Sequence, residues 1–149
     1  MPKTYRHETI IPLPREALFA LMTDINNWPK WDLDLVAAAH DGAPLRPGSC
    51  FSITPKGNKP VAMTVEAIDA PALFVDQAKL PLGCIRGVHR LEDVPGGTRL
   101  VHEVSTSGPL AWLWDKIITR DIGAGLAEQA ARLAAYGIGI SSASKSGPP

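Results

Sequence analysis

The chain has 149 residues, 45% of them hydrophobic and 20% charged, which is the composition of an ordinary globular domain with one core. Its fifteen basic and fifteen acidic side chains cancel to a formal charge of zero. The basic surplus that supports nucleic-acid binding or docking on an anionic membrane is therefore missing, and no stretch approaches the ~18 apolar residues of a membrane-spanning helix.

Cysteine usage and the first residues predict a cytoplasmic protein. Cys50 and Cys84 are too few for a disulfide framework and lack the spacing of metal ligands. Residues 1–11 contain several charged side chains and no apolar segment, so no signal peptide is expected. We expect no cofactor. The oligomeric state stays open, because zero net charge permits self-association without requiring it.

The first part of the chain predicts one strand followed by two short helices. Residues 5–13 form the strand, which ends at a pair of prolines. Pro14 suits the first helical position, and apolar residues at helical spacing follow it as far as Met22. A second short helix carries Trp28 and Trp31.

The middle of the chain predicts a meander of six strands. Apolar and polar residues alternate there in short runs that turn residues separate. Consecutive strands joined by short turns usually pair as antiparallel neighbours. The predicted strands are residues 35–39, 50–54, 61–68, 73–79, 84–92 and 98–107.

The last predicted element is a single helix from Leu110 to about Tyr136. Apolar residues recur on one side at every third or fourth position, while Asp115 belongs to the opposite, solvent-facing side. Gly137 is expected to cap this helix. A helix of this length spans the whole sheet at about 1.5 Å per residue.

These elements form a single predicted domain over residues 4–137. Residues 1–3 and the small, polar residues 138–149 are expected to be flexible ends. The fold class is α+β, with a curved seven-stranded antiparallel sheet wrapped around the long C-terminal helix and two short helices after the first strand.

Three segments of this pattern resemble a known superfamily. They are the helix pair at residues 14–31, the Gly96-Gly97-Thr98 turn into the last strand, and the long helix that follows Gly108. Together they resemble the SRPBCC or START-like superfamily, in its polyketide cyclase/dehydrase-like branch; the superfamily also contains coenzyme-Q-binding proteins and the Bet v 1-like pollen allergens. The resemblance covers nearly the whole chain. It implies a helix-grip fold with an apolar cavity for a small hydrophobic ligand, whose chemistry varies among members.

Pairing the last two predicted strands places two histidines inside the molecule. A hairpin centred on residues 94–97 sets Glu92 opposite Arg99 and His89 opposite His102. Because side chains alternate along a strand, both imidazoles share the apolar face that looks towards the helix. A register slip of one residue would turn them to solvent.

Three interpretations of His89 and His102 remain open. They could form a structural pair, each satisfied by backbone or water, or recognise a ligand through one donor and one acceptor each. They could also act as general acid or base, since burial lowers the pKa of an imidazole and leaves a base at neutral pH. A metal site is not predicted, because Glu103 and Cys84 fall on the opposite face.

The function expected from the sequence is binding of a small hydrophobic or aromatic molecule, such as a polyketide, isoprenoid or lipid. The alternative is a polyketide cyclase or dehydratase that uses His89 or His102 as general acid or base. A second alternative is a protein-interaction module resembling the Hsp90-activator or toxin-like branches. The predicted cavity residues are Phe51, Ile53, Val61, Met63, Val65, Ile85, His89, Leu91, Leu100, His102, Val104, Trp114, Ile118 and Ile122.

Overall fold

A computed structural model describes residues 3–145 and contains one seven-stranded antiparallel sheet. The strand order is β1-β7-β6-β5-β4-β3-β2, so the predicted six-stranded meander is present and β1 closes it beside β7. The predicted fold class is confirmed. The strands are β1 Thr4–Ile11, β2 Leu35–Ala39, β3 Cys50–Pro55, β4 Val61–Asp69, β5 Leu73–Leu80, β6 Gly83–Val94 and β7 Gly97–Ser107.

The register of the β6–β7 hairpin is the predicted one. His89 lies opposite His102, and Glu92 lies opposite Arg99. The guanidinium of Arg99 donates to the carboxylate of Glu92 across 3.1 Å on the outer face. On the other side of β7, His7 of β1 also lies opposite His102, so three histidines form one row across the sheet.

Two short helical segments after β1 close one end of the sheet. They are α1, Arg15–Thr23, and a 3₁₀ segment, Ile25–Lys30. Trp28 in the 3₁₀ segment packs edge-on against Phe51 and Phe74, with ring centroids 5.4 and 6.5 Å apart. Its indole N–H donates to the carbonyl of Met22 across 3.1 Å. This aromatic cluster fixes the 3₁₀ segment over the sheet, because buried aromatic contacts dominate local packing.

The C-terminal helix is not the uniform helix that the sequence predicts. It consists of α2 Ala111–Trp114, a π-helical turn Asp115–Thr119, α3 Arg120–Ala124 and α4 Leu126–Lys145. A π turn holds an extra residue and so rotates the faces of the helix around it. The prediction that Asp115 faces solvent is therefore wrong. Asp115 is buried and accepts a hydrogen bond from the Tyr5 hydroxyl at 3.1 Å.

The predicted end of the helix at Gly137 is also wrong, because α4 continues to Lys145. A Cβ on Gly137 would lie 2.6 Å from Leu13 Cδ1 and 2.9 Å from Leu21 Cδ1. This glycine therefore allows α4 to approach α1 closely instead of ending the helix. Residues 138–145, predicted flexible, are helical, and residues 1–2 and 146–149 lie outside the described residues. No helix between residues 3 and 145 combines the length and apolarity that a membrane span needs.

Helix and sheet approach each other closely at Gly123 of α3. A Cβ at this position would lie only 2.3 Å from Cγ of the Tyr5 ring in β1. At Gly125 the helix breaks between α3 and α4. The helix therefore presses on the β1 edge of the sheet and leaves a space over the middle strands.

Candidate functional site

A cavity of about 280 Å³ occupies that space, between the concave face of the sheet and α4. Most of its wall is apolar, contributed by strands β2–β7, the end of α1, the 3₁₀ segment and the C-terminal helix. Asp34, Asp121 and Ile122 are lining residues that are exposed, so they mark its mouth. The lining residues are Met22, Trp28, Trp31, Asp32, Asp34, Leu35, Ile53, Pro55, Met63, Asp76, Ile85, Gly87, His89, Leu100, His102, Val104, Asp121, Ile122, Gly125, Gln129, Ala130 and Leu133.

Eight of the fourteen residues predicted from the sequence line this cavity together. Both histidines are among them, on adjacent strands and on the same face. The eight are Ile53, Met63, Ile85, His89, Leu100, His102, Val104 and Ile122.

Six predicted residues do not line the cavity. Three of them belong to the packed core beside it, where they leave no free surface: Phe51, Val65 and Leu91. The indole of Trp114 instead donates to the carbonyl of Pro81 at 2.8 Å, away from the cavity. The remaining two are Val61, half-buried near the start of β4, and Ile118.

The π turn explains why Ile118 is absent from the cavity. Its neighbour Thr119 takes the position facing the sheet and is completely buried. The Thr119 hydroxyl forms a hydrogen bond of 2.6 Å with the hydroxyl of Thr106 in β7. A helix with uniform periodicity would have placed Ile118 there.

The histidine pair forms a polar patch on the sheet side of the cavity. The two rings are 4.1 Å apart between centroids and tilted by 34°. Nδ1 of His89 lies 3.1 Å from the carbonyl oxygen of Phe74. Since a carbonyl only accepts, Nδ1 carries the proton and Nε2 of His89 presents a lone pair. Within the described part of the chain, His102 has no hydrogen-bond partner.

Asp76 of β5 adds a carboxyl group to the same wall. It lies opposite Gly87 of β6, and it is buried. A Cβ on Gly87 would lie 2.7 Å from Oδ1 of Asp76 and 3.7 Å from Cε1 of His89. Because Gly87 has no side chain, the carboxyl of Asp76 and the imidazole of His89 can approach each other above it.

Burial sets the protonation states of these groups. It raises the pKa of Asp76 from 3.8 to about 7, against the opposing effect of a hydrogen bond from its own backbone N–H. Burial also lowers the pKa of His89 from 6.5 to about 4, and that of His102 well below 6.5, where the neighbouring imidazoles lower it further. Both histidines are therefore neutral at pH 7, and Asp76 is close to half-ionised.

A second buried carboxyl, that of Asp32, differs from Asp76 in accepting hydrogen bonds from other residues. Nε2 of Gln129 in α4 donates to it at 3.0 Å, and the backbone N–H of Asp34 donates at 3.2 Å. Burial raises the pKa of Asp32, while the bond from Gln129 opposes that effect. This carboxyl joins the 3₁₀ end of the molecule to α4 across the cavity.

Asp76, Asp32 and Gln129 are the polar groups that sequence reasoning missed. The sequence could have pointed to Asp76, because this residue alternates with Phe74 and Ala78 on the inner side of β5. A carboxylate on an apolar strand face, opposite a glycine, is uncommon enough to note. No comparable signal exists for Asp32 or Gln129, because they meet only when α4 crosses the sheet.

Comparison with known families settles the relationship of the chain. Residues 3–137 match the family described as polyketide cyclase / dehydrase and lipid transport. The chain belongs to this family. The resemblance to the polyketide cyclase/dehydrase-like branch of the SRPBCC or START-like superfamily is thereby confirmed. No curated protein matches the sequence.

Solved structures with the same fold share little sequence identity with this chain. The protein Ara h 8.0201 superimposes with a TM-score of 0.72 at 16% identity, over 93% of this chain and 99% of its own. A protein from Nitrosomonas europaea superimposes with a TM-score of 0.72 at 15% identity, over 92% of this chain and 95% of its own. The di-domain ARO/CYC StfQ from the steffimycin biosynthetic pathway gives 0.74 at 9% identity, over 95% of this chain and 52% of its own. These likenesses establish the helix-grip fold.

Proposed function

We propose that the protein binds one small, mostly apolar molecule that carries a carbonyl or hydroxyl oxygen. The observation that supports this most is the cavity, whose mostly apolar walls hold a patch of polar groups, Asp76, His89 and His102, with hydrogen-bonding positions left for a ligand. Apolar walls with a few placed polar groups are the usual plan of a small-molecule site. Family membership is consistent with either carriage or chemistry on such a ligand.

The cavity volume narrows the class of ligand. At about 280 Å³ the cavity is at the lower end of the ~300–1,000 Å³ found for small-molecule pockets. A one- or two-ring aromatic or alicyclic compound fits this volume better than a sterol or a long isoprenoid chain. The same cavity weighs against the protein-interaction alternative, which predicts a small or filled interior and a large exposed apolar patch.

A cavity-filling substitution tests the proposal. Ala130 lines the cavity on α4, whereas its neighbour Ala131 is exposed on the same helix. The wild-type protein should bind 2-naphthol, followed by its fluorescence. Ala130→Phe should weaken that binding by at least about tenfold, because the new ring takes the ligand's volume. Ala131→Phe is the matched control and should bind as the wild type does.

Two results would contradict the proposal. One is a wild-type protein that fails to bind 2-naphthol, and the other is equal binding by the two phenylalanine variants. Thermal melting of both variants ensures that a loss of binding is not a loss of folding. Native mass spectrometry and extraction of the purified protein then give the chemical class of any copurifying ligand.

The second candidate function is catalysis in the same cavity, as a cyclase or dehydratase. The observation that favours it is the ionisable carboxyl of Asp76, which carriage alone does not need. Enzymes that move protons keep their acid–base groups near half-ionisation at working pH. The histidines fit this role less well, since burial lowers the pKa of both imidazoles far below neutral pH and so makes them weaker bases.

A further inference from the structure

Asp76 differs from the other buried carboxyl of the cavity in what surrounds it. Asp32 receives hydrogen bonds from Gln129 and from the backbone of Asp34. In residues 3–145, the Asp76 carboxyl has only its own backbone N–H and no cation beside it. A buried carboxyl that no other residue pairs with costs stability, so a structural role does not account for Asp76.

The two histidines of the cavity differ in the hydrogen bonds that they can form with a ligand. His89 uses its N–H on the carbonyl of Phe74, so towards the cavity it offers only an acceptor. His102, neutral and without a partner in the described chain, keeps both an N–H donor and an acceptor. His102 is therefore the imidazole that is able to donate to an oxygen of a ligand.

We propose that Asp76 is the proton-transfer group of this cavity, and that His102 donates a hydrogen bond to the carbonyl oxygen of the same ligand. The substrate class is a small ring ketone with a hydrogen on the carbon next to its carbonyl. This inference rests on the proposed function, because the ketone occupies the cavity described there.

The proposed step needs no cofactor. The ionised Asp76 carboxylate takes a proton from the carbon beside the carbonyl. The electron pair of the broken C–H bond forms a carbon–carbon double bond, and the carbonyl oxygen becomes an enolate oxygen, which the N–H of His102 stabilises. Protonated Asp76 then returns the proton to carbon. If a hydroxyl group lies on the carbon beyond the deprotonated one, the enolate instead re-forms the carbonyl, a double bond forms between these two carbons, and the C–O bond breaks. Asp76 protonates the departing hydroxyl, which leaves as water.

The charged and titratable groups that face Asp76 define its pH response. Those that line the cavity with it are His89 on the neighbouring strand β6, His102 on β7, Asp32 and Asp34 beside the 3₁₀ segment, and Asp121 on α3. Both imidazoles are uncharged at neutral pH. The rate of proton transfer should rise with pH to a plateau, with a midpoint near the pKa of Asp76, about 7.

Deuterium exchange tests this step without knowledge of the natural ligand. The probe is 2-tetralone in D2O, with loss of its α protons followed by proton NMR. The wild type should accelerate the exchange, and Asp76→Asn should lower the catalysed rate by at least about 100-fold and remove its pH midpoint. Binding of 2-tetralone, measured by displacement of 2-naphthol, should stay within about threefold. Asp69→Asn, at an exposed carboxyl on β4, is the control and should exchange as the wild type does.

Two further variants test the donor. His102→Leu should slow exchange by at least about tenfold, while His102→Gln, which keeps an N–H, should retain most of the rate. Binding without exchange by the wild type, or full exchange by Asp76→Asn, contradicts this inference and leaves the proposed function standing. Failure of the wild type to bind either probe contradicts the proposed function and this inference with it.

Discussion

Replacing Asp76 with asparagine is expected to stabilise the folded protein at pH 8 by about 3 kcal/mol. Burial raises the pKa of this carboxyl from 3.8 in the unfolded chain to about 7, so ionisation at high pH favours unfolding. That shift corresponds to about 4 kcal/mol, of which we allow about 1 kcal/mol for burying the amide of asparagine. Urea denaturation of the two proteins at a series of pH values measures the difference.

The dependence on pH has a definite sign. Between pH 4 and 7 the folded state keeps a proton on Asp76 that the unfolded state has lost, so this group makes the wild type less stable as pH rises. The destabilisation that ionised Asp76 causes is absent below pH 4 and complete above about pH 7. The advantage of Asp76→Asn should therefore grow across that window and then stay constant. A constant difference at all pH values would contradict the burial of an ionisable carboxyl, and Asp69→Asn should produce no such trend.

His89 contributes the opposite slope over part of the same range. Its pKa falls from 6.5 to about 4 on folding, so between these pH values the imidazole is protonated in the unfolded chain and neutral in the folded protein. Stability is therefore lost as pH falls from 6.5 towards 4, and His102 acts in the same direction. Asp76 offsets part of this loss in the wild type. The Asp76→Asn variant should consequently lose stability on acidification more steeply than the wild type.

A stabilising substitution inside a cavity has a functional meaning. Proteins retain costly ionisable groups where activity needs them, and removal of such a group commonly raises stability while it lowers function. The two experiments on Asp76→Asn are therefore complementary. A variant that is more stable, still binds the ring ketone and no longer exchanges its α protons is the combination that proton transfer by Asp76 predicts.

The second large effect is expected at the contact between helix and sheet. Gly123→Ala places a Cβ 2.3 Å from the Tyr5 ring, so α3 or β1 has to move. We expect a loss of about 2–3 kcal/mol in the free energy of unfolding, as for other overpacked cores. The Tyr5 hydroxyl should also lose its bond to Asp115, whose other carboxylate oxygen is already buried without a partner. Urea unfolding at pH 7 measures this loss.

Gly139→Ala is the matched control for that substitution. Gly139 lies in α4, and no atom lies within 4 Å of the position its Cβ would take. Alanine is favoured over glycine in a helix by about 1 kcal/mol, so this variant should be slightly more stable than the wild type. Equal gains from both substitutions would mean that Gly123 does not mark the close approach.

The strands and the histidine pair could be predicted because local rules determine them. Alternation of apolar residues defines the faces of β3–β7, and the tight turn at Gly96 fixes the register that pairs His89 with His102. An ion pair between Glu92 and Arg99 supports the same register. The sequence of one hairpin is therefore enough to predict which of its residues lie opposite each other.

The helix and the remaining polar groups could not be predicted in this way. A glycine near the end of an apolar stripe, such as Gly137, looks the same whether it caps a helix or makes room for a neighbour. The π turn that buries Asp115 depends on the sheet below it. Asp32 and Gln129 lie 97 positions apart in sequence and meet only in the folded protein. Tertiary packing decides each of these cases.

A crystal structure of the protein soaked with 2-naphthol tests the central claim most directly. We predict one naphthol between the sheet and α4, with its hydroxyl within hydrogen-bond distance of Asp76 or His102 and its rings against the apolar wall. A cavity that stays empty, or a probe found only on the outer surface at saturating concentration, would contradict the account of this cavity as a ligand site.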